Sequence, residues 1–240
     1  MKRILYWITA CFTIIQILTV YSKTVTIKDY ETFLNLASII NNDVDDTLII
    51  DFVENYYDME LFREKLISYH EFYIEKNIIF KGNENGTIFD FINDSFGYFK
   101  IISSNIKGKR VRFENITFKD FNPSSQSYIG LFNFYNNNNS IDSLKVEFYN
   151  CSFIHNIVTN FSIMITSTKL SITEPQLTFD KCDFYNNDGK DYIIVIHKNS
   201  YALDELYKYF NILFKDCNFI DNNISLQLYN NGYVFENCKY

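Results

Sequence analysis

The chain has little of what usually punctuates a fold: 240 residues hold two prolines, seven glycines, three methionines and one tryptophan. Turns must therefore come from another residue, and Asn supplies it in runs such as Asn136 to Asn139 and Asn230-Asn231-Gly232. Basic residues form no stripe and the formal charge is −7, which argues against nucleic acid as a partner. No C-x-x-C pair occurs, and His155, four residues after Cys151, has no second Cys–His pair to complete a ligand set, so a zinc site is not expected. Asp188-Gly189-Lys190-Asp191 lacks the alternating acidic ligands and distal Glu of a calcium loop and reads as an ordinary turn. No cofactor is expected.

What is present points to β structure. Hydrophobic residues make up 47% and aromatics 18%, with 24 Phe and 19 Tyr, side chains that suit a pleated, half-buried surface. The length fits one domain. Lys2 and Arg3 precede an apolar stretch from Ile4 to Val20, followed by small residues, so residues 1–22 read as a signal peptide cleaved after Ser22. The alternative is an uncleaved membrane anchor, since the stretch approaches the ~20 residues that span a bilayer; no later segment is long enough. Export makes the expected location secreted or cell-surface. It also gives meaning to the Asn-x-Ser/Thr sequons, of which Asn138 and Asn160 are the best candidates for N-glycosylation.

One unit recurs five times: FENITF from Phe113, FYNCSF from Phe148, FDKCDF from Phe179, FKDCNF from Phe214 and FENCKY from Phe235. Its apolar positions 1, 4 and 6 match neither a continuous strand nor a helix. They do match two short strands joined by a single bend residue. That bend falls on Asn115, Asn150, Lys181, Asp216 and Asn237, and Asn and Asp tolerate the left-handed backbone better than other non-glycine residues. Successive units start 35, 31, 35 and 21 residues apart, and the shortest interval suits a coil of three strands. The extra residues of the longer coils fall at one corner, as 136–143, 168–175 and 199–211.

A coil cannot bury its inward residues alone, so coils must stack at the ~4.8 Å strand spacing with like side chains in ladders. The expected fold is an all-β, right-handed parallel β-helix with three strands per coil. Upstream, Asp29 reads as the N-cap of an amphipathic helix carrying Phe33, Leu34, Leu36, Ile39 and Ile40, which would cover the N-terminal edge. The expected organisation is thus residues 23–75 as an N-terminal cap region and 76–240 as coils.

In this arrangement the chain resembles the pectin-lyase-like right-handed β-helix proteins, with KNIIFKG from Lys76 similar to their first-coil strand and glycine turn. The Phe-x-x-Asn units FIHN from Phe153, FYNN from Phe184 and FIDN from Phe219 are similar to repeats of polymorphic outer-membrane-type adhesins, although that family's Gly-Gly-Ala-type partner motif is absent. The resemblance implies fold more than activity.

The aligned Cys151, Cys182, Cys217 and Cys238 fall at strand spacing, so pairs 151–182 and 217–238 could form disulfides, but parallel inward side chains favour a reduced core ladder. Enzymes of the resembled family need clustered carboxylates, and no Asn-Thr-Asp, Gly-His-Gly or Arg-x-Lys motif of the polygalacturonase type occurs in the coils; Asp45-Asp46 reads as a solvated turn. His70, His155 and His197 have no nucleophile in a recognisable motif and read as surface residues. The expected function is non-enzymatic, with loops at the insertion corner contacting carbohydrate or a cell-surface protein through Tyr128, Tyr135, Tyr201, Tyr207 and Tyr209. The alternative is a divergent polysaccharide lyase or glycoside hydrolase. Because the fifth unit ends at Tyr240, an uncovered edge available for self-association, or a truncated gene product, is a further expectation.

Overall fold

The computed structural model describes residues 22–103, 108–123, 130–136, 145–157, 161–165, 175–188, 194–198, 211–223 and 232–240. Its strands form three sheets. Sheet A joins, in spatial order, β1 (Ser22–Ile27), β2 (Thr47–Phe52), β5 (Asn77–Lys81), β8 (Val111–Glu114), β11 (Val146–Tyr149), β14 (Leu177–Asp180), β17 (Asn211–Lys215) and β19 (Gly232–Glu236). Sheet B joins β3 (Tyr56–Asp58), β6 (Thr87–Asp94), β9 (Ile116–Phe121), β12 (Ser152–Ile154), β15 (Asp183–Tyr185) and β18 (Asn218–Ile220). Sheet C joins β4 (Tyr69–Ile74), β7 (Tyr98–Ser103), β10 (Phe132–Asn136), β13 (Phe161–Ile165) and β16 (Ile194–Lys198). Every pairing among these strands is parallel, and strands that neighbour each other in space are separated in sequence by strands of the other sheets, except β1 and β2, which are joined through helical residues. The chain is a parallel β-solenoid.

The repeat explains the local geometry. Asn115, Asn150, Lys181, Asp216 and Asn237 all have positive φ, between 51° and 57°; the first four each join a sheet A strand to its sheet B successor, and Asn237 leads from β19 to Lys239, which bridges Asn218 of β18. One left-handed residue resets the alternation, so Phe148, Cys151 and Phe153 all point inward and are buried; Phe113, Ile116 and Phe118 do the same one coil earlier. In register, the first rings of the units form one stack: Phe113–Phe148, Phe148–Phe179, Phe179–Phe214 and Phe214–Phe235 lie at centroid distances of 4.9, 5.2, 4.8 and 4.9 Å. The second rings form another, through Phe118, Phe153, Phe184, Phe219 and Tyr240. Burying each such ring contributes about 1.5–3 kcal/mol before entropy is subtracted.

The Phe-x-x-Asn unit builds a second corner. His155, Asn186 and Asp221 have positive φ, and each is followed by an Asn whose side chain turns inward. Asn156 and Asn187 are fully buried. The Oδ1 atoms of Asn156, Asn187 and Asn222 accept from the backbone N–H of Phe121, Asn156 and Asn187 at 2.9, 3.0 and 3.0 Å. Their Nδ2 groups donate to the carbonyls of Phe118, Phe153 and Phe184 at 3.1, 2.8 and 2.7 Å. Each amide therefore makes two bonds to the coil before it, at a corner where the strand ladder stops.

The N-terminal end differs from expectation in two respects. The helix capped by Asp29, whose carboxylate accepts from Thr32 N–H at 2.8 Å, divides at Asn35 into α1 (Tyr30–Leu34) and α2 (Leu36–Asn42). Strands β1 to β4 also belong to the sheets, so coil structure begins well upstream of residue 76. The region lacks the six-residue unit, and without it the alternating YHEFYI of β4 has nothing to align with. The helices still cover an edge. Phe33 of α1 enters the core among Phe52, Tyr57, Phe62 and Phe89, with Phe62 supplied by α3 (Glu60–Glu64). Asn41 of α2 pairs with the open side of β4, donating to Glu71 C=O at 3.1 Å and accepting from Tyr73 N–H at 3.2 Å. An edge strand thus finds partners for its backbone without another strand.

Gly82, which follows β5, has no room for a side chain: a Cβ there would lie 2.2 Å from the Asn115 carbonyl oxygen. Of the insertions expected at 136–143, 168–175 and 199–211, Asn136 closes β10 and Asn211 opens β17, Pro175 precedes β14, and the rest lie outside the described residues.

Candidate functional site

Among the described residues, three places on the outer surface collect chemistry-bearing side chains. The most extensive is on sheet C. Alternation along β4 sends His70, Phe72 and Ile74 inward and Tyr69, Glu71 and Tyr73 outward. In β7, Phe99 and Ile101 are buried while Tyr98, Lys100 and Ile102 face out; in β10, Phe132 and Phe134 are buried and Tyr135 faces out. Register aligns Tyr69 with Tyr98, Glu71 with Lys100 and Asn133, and Tyr73 with Ile102 and Tyr135. The face therefore has a polar middle row between two aromatic rows, all running across the strands.

Contacts hold this face in shape. Lys100 pairs with Glu71, and its Nζ lies over the rings of Tyr69 at 5.1 Å and Tyr135 at 5.3 Å. The hydrogen bond to Glu71 raises the Lys100 pKa, so the ammonium stays charged. Tyr73 donates to the other Glu71 oxygen at 3.3 Å. Asn133 is buried and bonds both ways to Gly130, at 3.2 and 2.6 Å, fixing the entry to β10. Tyr69 and Tyr73 remain 42% and 43% exposed, open enough to meet a ligand.

On sheet B, Lys119 bridges two carboxylates, Asp90 at 2.8 Å and Asp120 at 3.2 Å, and His155 Nδ1 lies 3.7 Å from Asp120. Burial works to raise the Asp90 pKa, but bonds from Lys119, the Ile92 N–H and the Tyr56 hydroxyl outweigh it and hold the carboxyl below its usual range. A glycosidase acid needs the opposite shift. Tyr56 is pushed up to about 12, first by burial and then by its bond to Asp90. This cluster is an ion network. On sheet A an open depression of about 410 Å³ is lined by Thr47, Asn77, Ile79, Gly108, Arg110 and Arg112. Its arginines are already committed: both bond Glu147 at 3.0 Å, and Arg112 also bonds Glu114.

Of the tyrosines anticipated from the sequence, Tyr135 belongs to the sheet C face; Tyr128, Tyr201, Tyr207 and Tyr209 lie outside the described residues, as do Asn138 and Asn160. The partners of Tyr135, namely Tyr69, Tyr73, Tyr98, Glu71 and Lys100, were not anticipated. They lie one or two coils before Tyr135 in sequence, and only their period-two alternation hinted that they face out.

The four aligned cysteines, Cys151, Cys182, Cys217 and Cys238, are free thiols in one row. Their Sγ atoms point at the carbonyls of Phe113, Phe148, Phe179 and Phe214 in the adjoining coil, at 3.4 to 3.5 Å. Burial pushes Cys151 up to about 12 and Cys182 well above an ordinary thiol, which leaves them poor nucleophiles. Asp216 and Asp221 are bend residues, and Asp183 accepts from Asn218 at 2.6 Å. His70 is not on the surface, as the sequence suggested, but buried against the rings of Phe33, Phe62 and Phe99, and its Nε2 has no partner. The sequence alone gave no sign that α1 and α3 would close over it. Among the described residues no group of three or more His, Cys, Asp or Glu is arranged to hold a metal.

Fold and surface together define a parallel β-solenoid with an outward aromatic face on one sheet. No family model matches the chain, and neither the curated proteins nor the solved structures contain a match.

Proposed function

We propose that the chain is a non-enzymatic binding protein, secreted or held at the cell surface, whose right-handed solenoid of three-stranded coils meets carbohydrate. The observation that carries this reading is the sheet C face, where Tyr69, Tyr73, Tyr98 and Tyr135 flank Glu71 and Lys100. Flat rings offer apolar stacking to the C–H face of a sugar, and the polar row between them offers donors and acceptors to its hydroxyls. The signal-like residues 1–22 and the sequons at Asn138 and Asn160 support export as a glycoprotein. The likeness to pectin-lyase-like and adhesin-type repeats fits an extracellular surface protein.

A glycan array probed with the parent protein and with Tyr73→Ile tests the reading. Ile102 already occupies the middle of that row, so the substitution suits the strand. Binding to a glycan that is lost in the variant is expected; binding unaffected by the variant would remove this face from the function. In parallel, incubation with pectin and xylan, with and without calcium, is expected to release no new reducing ends. Turnover abolished by Asp90→Asn would overturn the non-enzymatic reading.

A further inference from the structure

We infer that the ligand of the sheet C face is an uncharged, extended β-1,4-linked glycan lying along the solenoid axis, across the strands. The inference rests on the carbohydrate-binding reading and deepens it. Three features select this ligand: direction, spacing and charge.

Direction follows from the rows. Tyr73, Ile102 and Tyr135 are register partners in β4, β7 and β10, so the aromatic row and the Glu71–Lys100 row beside it run perpendicular to the strands. A linear polymer that meets both rows must follow them. Spacing follows from the stacking of coils. Tyr73 and Tyr135 lie two strands apart with the non-aromatic Ile102 between them, which puts their backbones about 10 Å apart. In an extended β-1,4-linked chain successive sugars are flipped, so the same sugar face recurs only once per disaccharide, at close to that distance. A ring on every second coil suits such a chain, whereas a helical α-1,4-linked chain turns its faces away from a straight row.

Charge decides the last point. The only cation facing out among the described residues of β4, β7 and β10 is Lys100, and it is already paired with Glu71 and placed over two tyrosine rings. The pair brings no net charge to the face, so a polyanion gains nothing there. Glu71 and Lys100 remain able to bond neutral hydroxyls through the lone pairs and protons that their mutual contact leaves free.

The test is calorimetric titration of the full chain with cellohexaose, maltohexaose and oligogalacturonate, repeated with Tyr73→Ile, Tyr135→Ile and the double variant. Thermal unfolding of each variant reports whether it is folded. Cellohexaose is expected to bind best, and each single substitution to weaken it about tenfold, the scale of one aromatic contact. Cellobiose, too short to reach both rings, is expected to bind more weakly than the hexaose and to lose no more in the double variant than in one of the singles. Tyrosine-dependent binding that favours maltohexaose or oligogalacturonate would overturn the β-1,4 inference and leave the carbohydrate reading standing. Absence of tyrosine-dependent binding to any of these sugars, or to the array, would overturn the reading itself.

Discussion

From Phe113 to Phe235 the first rings of the repeat lie face to face, with interplanar angles of 8°, 10°, 8° and 5°, while Phe52, Tyr57 and Phe62 meet Phe33 at 64°, 85° and 79°. Both arrangements are favourable for aromatic quadrupoles, so energy alone does not choose between them. Register does. In the repeat every Phe occupies the same backbone position on a neighbouring strand, and identical positions give identical side-chain directions and parallel faces. At the cap, rings arriving from α1 and α3 share no register with the strands, so their angles vary: Phe33 meets Phe52, Tyr57 and Phe62 edge to face, tilts at 43° to Phe89 and stacks at 10° on His70. A repeat solves its packing once and copies it; a cap must fit each ring separately.

Four changes probe this contrast, from the largest expected effect to the smallest. Phe179→Ala removes a ring from the middle of the stack and is expected to cost about 3–5 kcal/mol in urea unfolding, because parallel neighbours held by their own strands cannot collapse into the gap. An effect under ~1 kcal/mol would show that the stack relaxes more freely than its register implies.

At the cap, His70 adds an acid response of its own. Burial lowers the His70 pKa from 6.5 to about 4. The unfolded chain thus takes up this proton first, and the stability that comes from keeping His70 neutral is complete above pH 6.5 and is lost as pH falls through the window down to about 4. The loss is expected to reach about 3 kcal/mol at the bottom of that window, and His70→Phe, which keeps a ring in the same aromatic box, should flatten it. Equal pH slopes for parent and variant would assign the acid sensitivity elsewhere.

Asn187→Ala removes the bonds to Asn156 N–H and Phe153 C=O and is expected to cost about 1–3 kcal/mol, with faster hydrogen exchange at the Asn156 amide. Unchanged exchange there would mean that solvent replaces the side chain. Last, Lys181 holds a left-handed bend at φ 57° that its four counterparts give to Asn or Asp. Lys181→Gly relieves roughly 1–2 kcal/mol of left-handed strain against roughly 0.5–1 kcal/mol of glycine entropy and loss of the Lys181 contact with Tyr149, so a small net gain is expected, read as a slightly higher urea midpoint.

The bends were legible without coordinates because a 1, 4, 6 pattern of apolar residues leaves a single position able to reset the alternation, and Asn and Asp fill it in four of five units. Lys181 was legible only through alignment with them. The start of the stack was not. Strands β2 and β4 alternate like any half-buried strand, β1 is mostly exposed and β3 is only three residues long, and nothing in their composition assigns them to one sheet rather than another. Of the sheet C face, Tyr135 alone could be named from sequence, because its importance comes from register partners one or two coils away.

Taken alone, the sequence determined the coil: which residues face inward, where the backbone bends and that units must stack, because each unit exposes apolar positions that only another copy can cover. Tertiary structure decided what lies side by side across coils. Register brought Tyr69, Tyr73, Tyr98 and Tyr135 around Lys100 and set Asn amides between the corners, and closure of two short helices over a strand edge sealed His70 away from water. Those outcomes depend on distances between strands and on the order in which sheets are joined, neither of which is a property of any one segment of the chain.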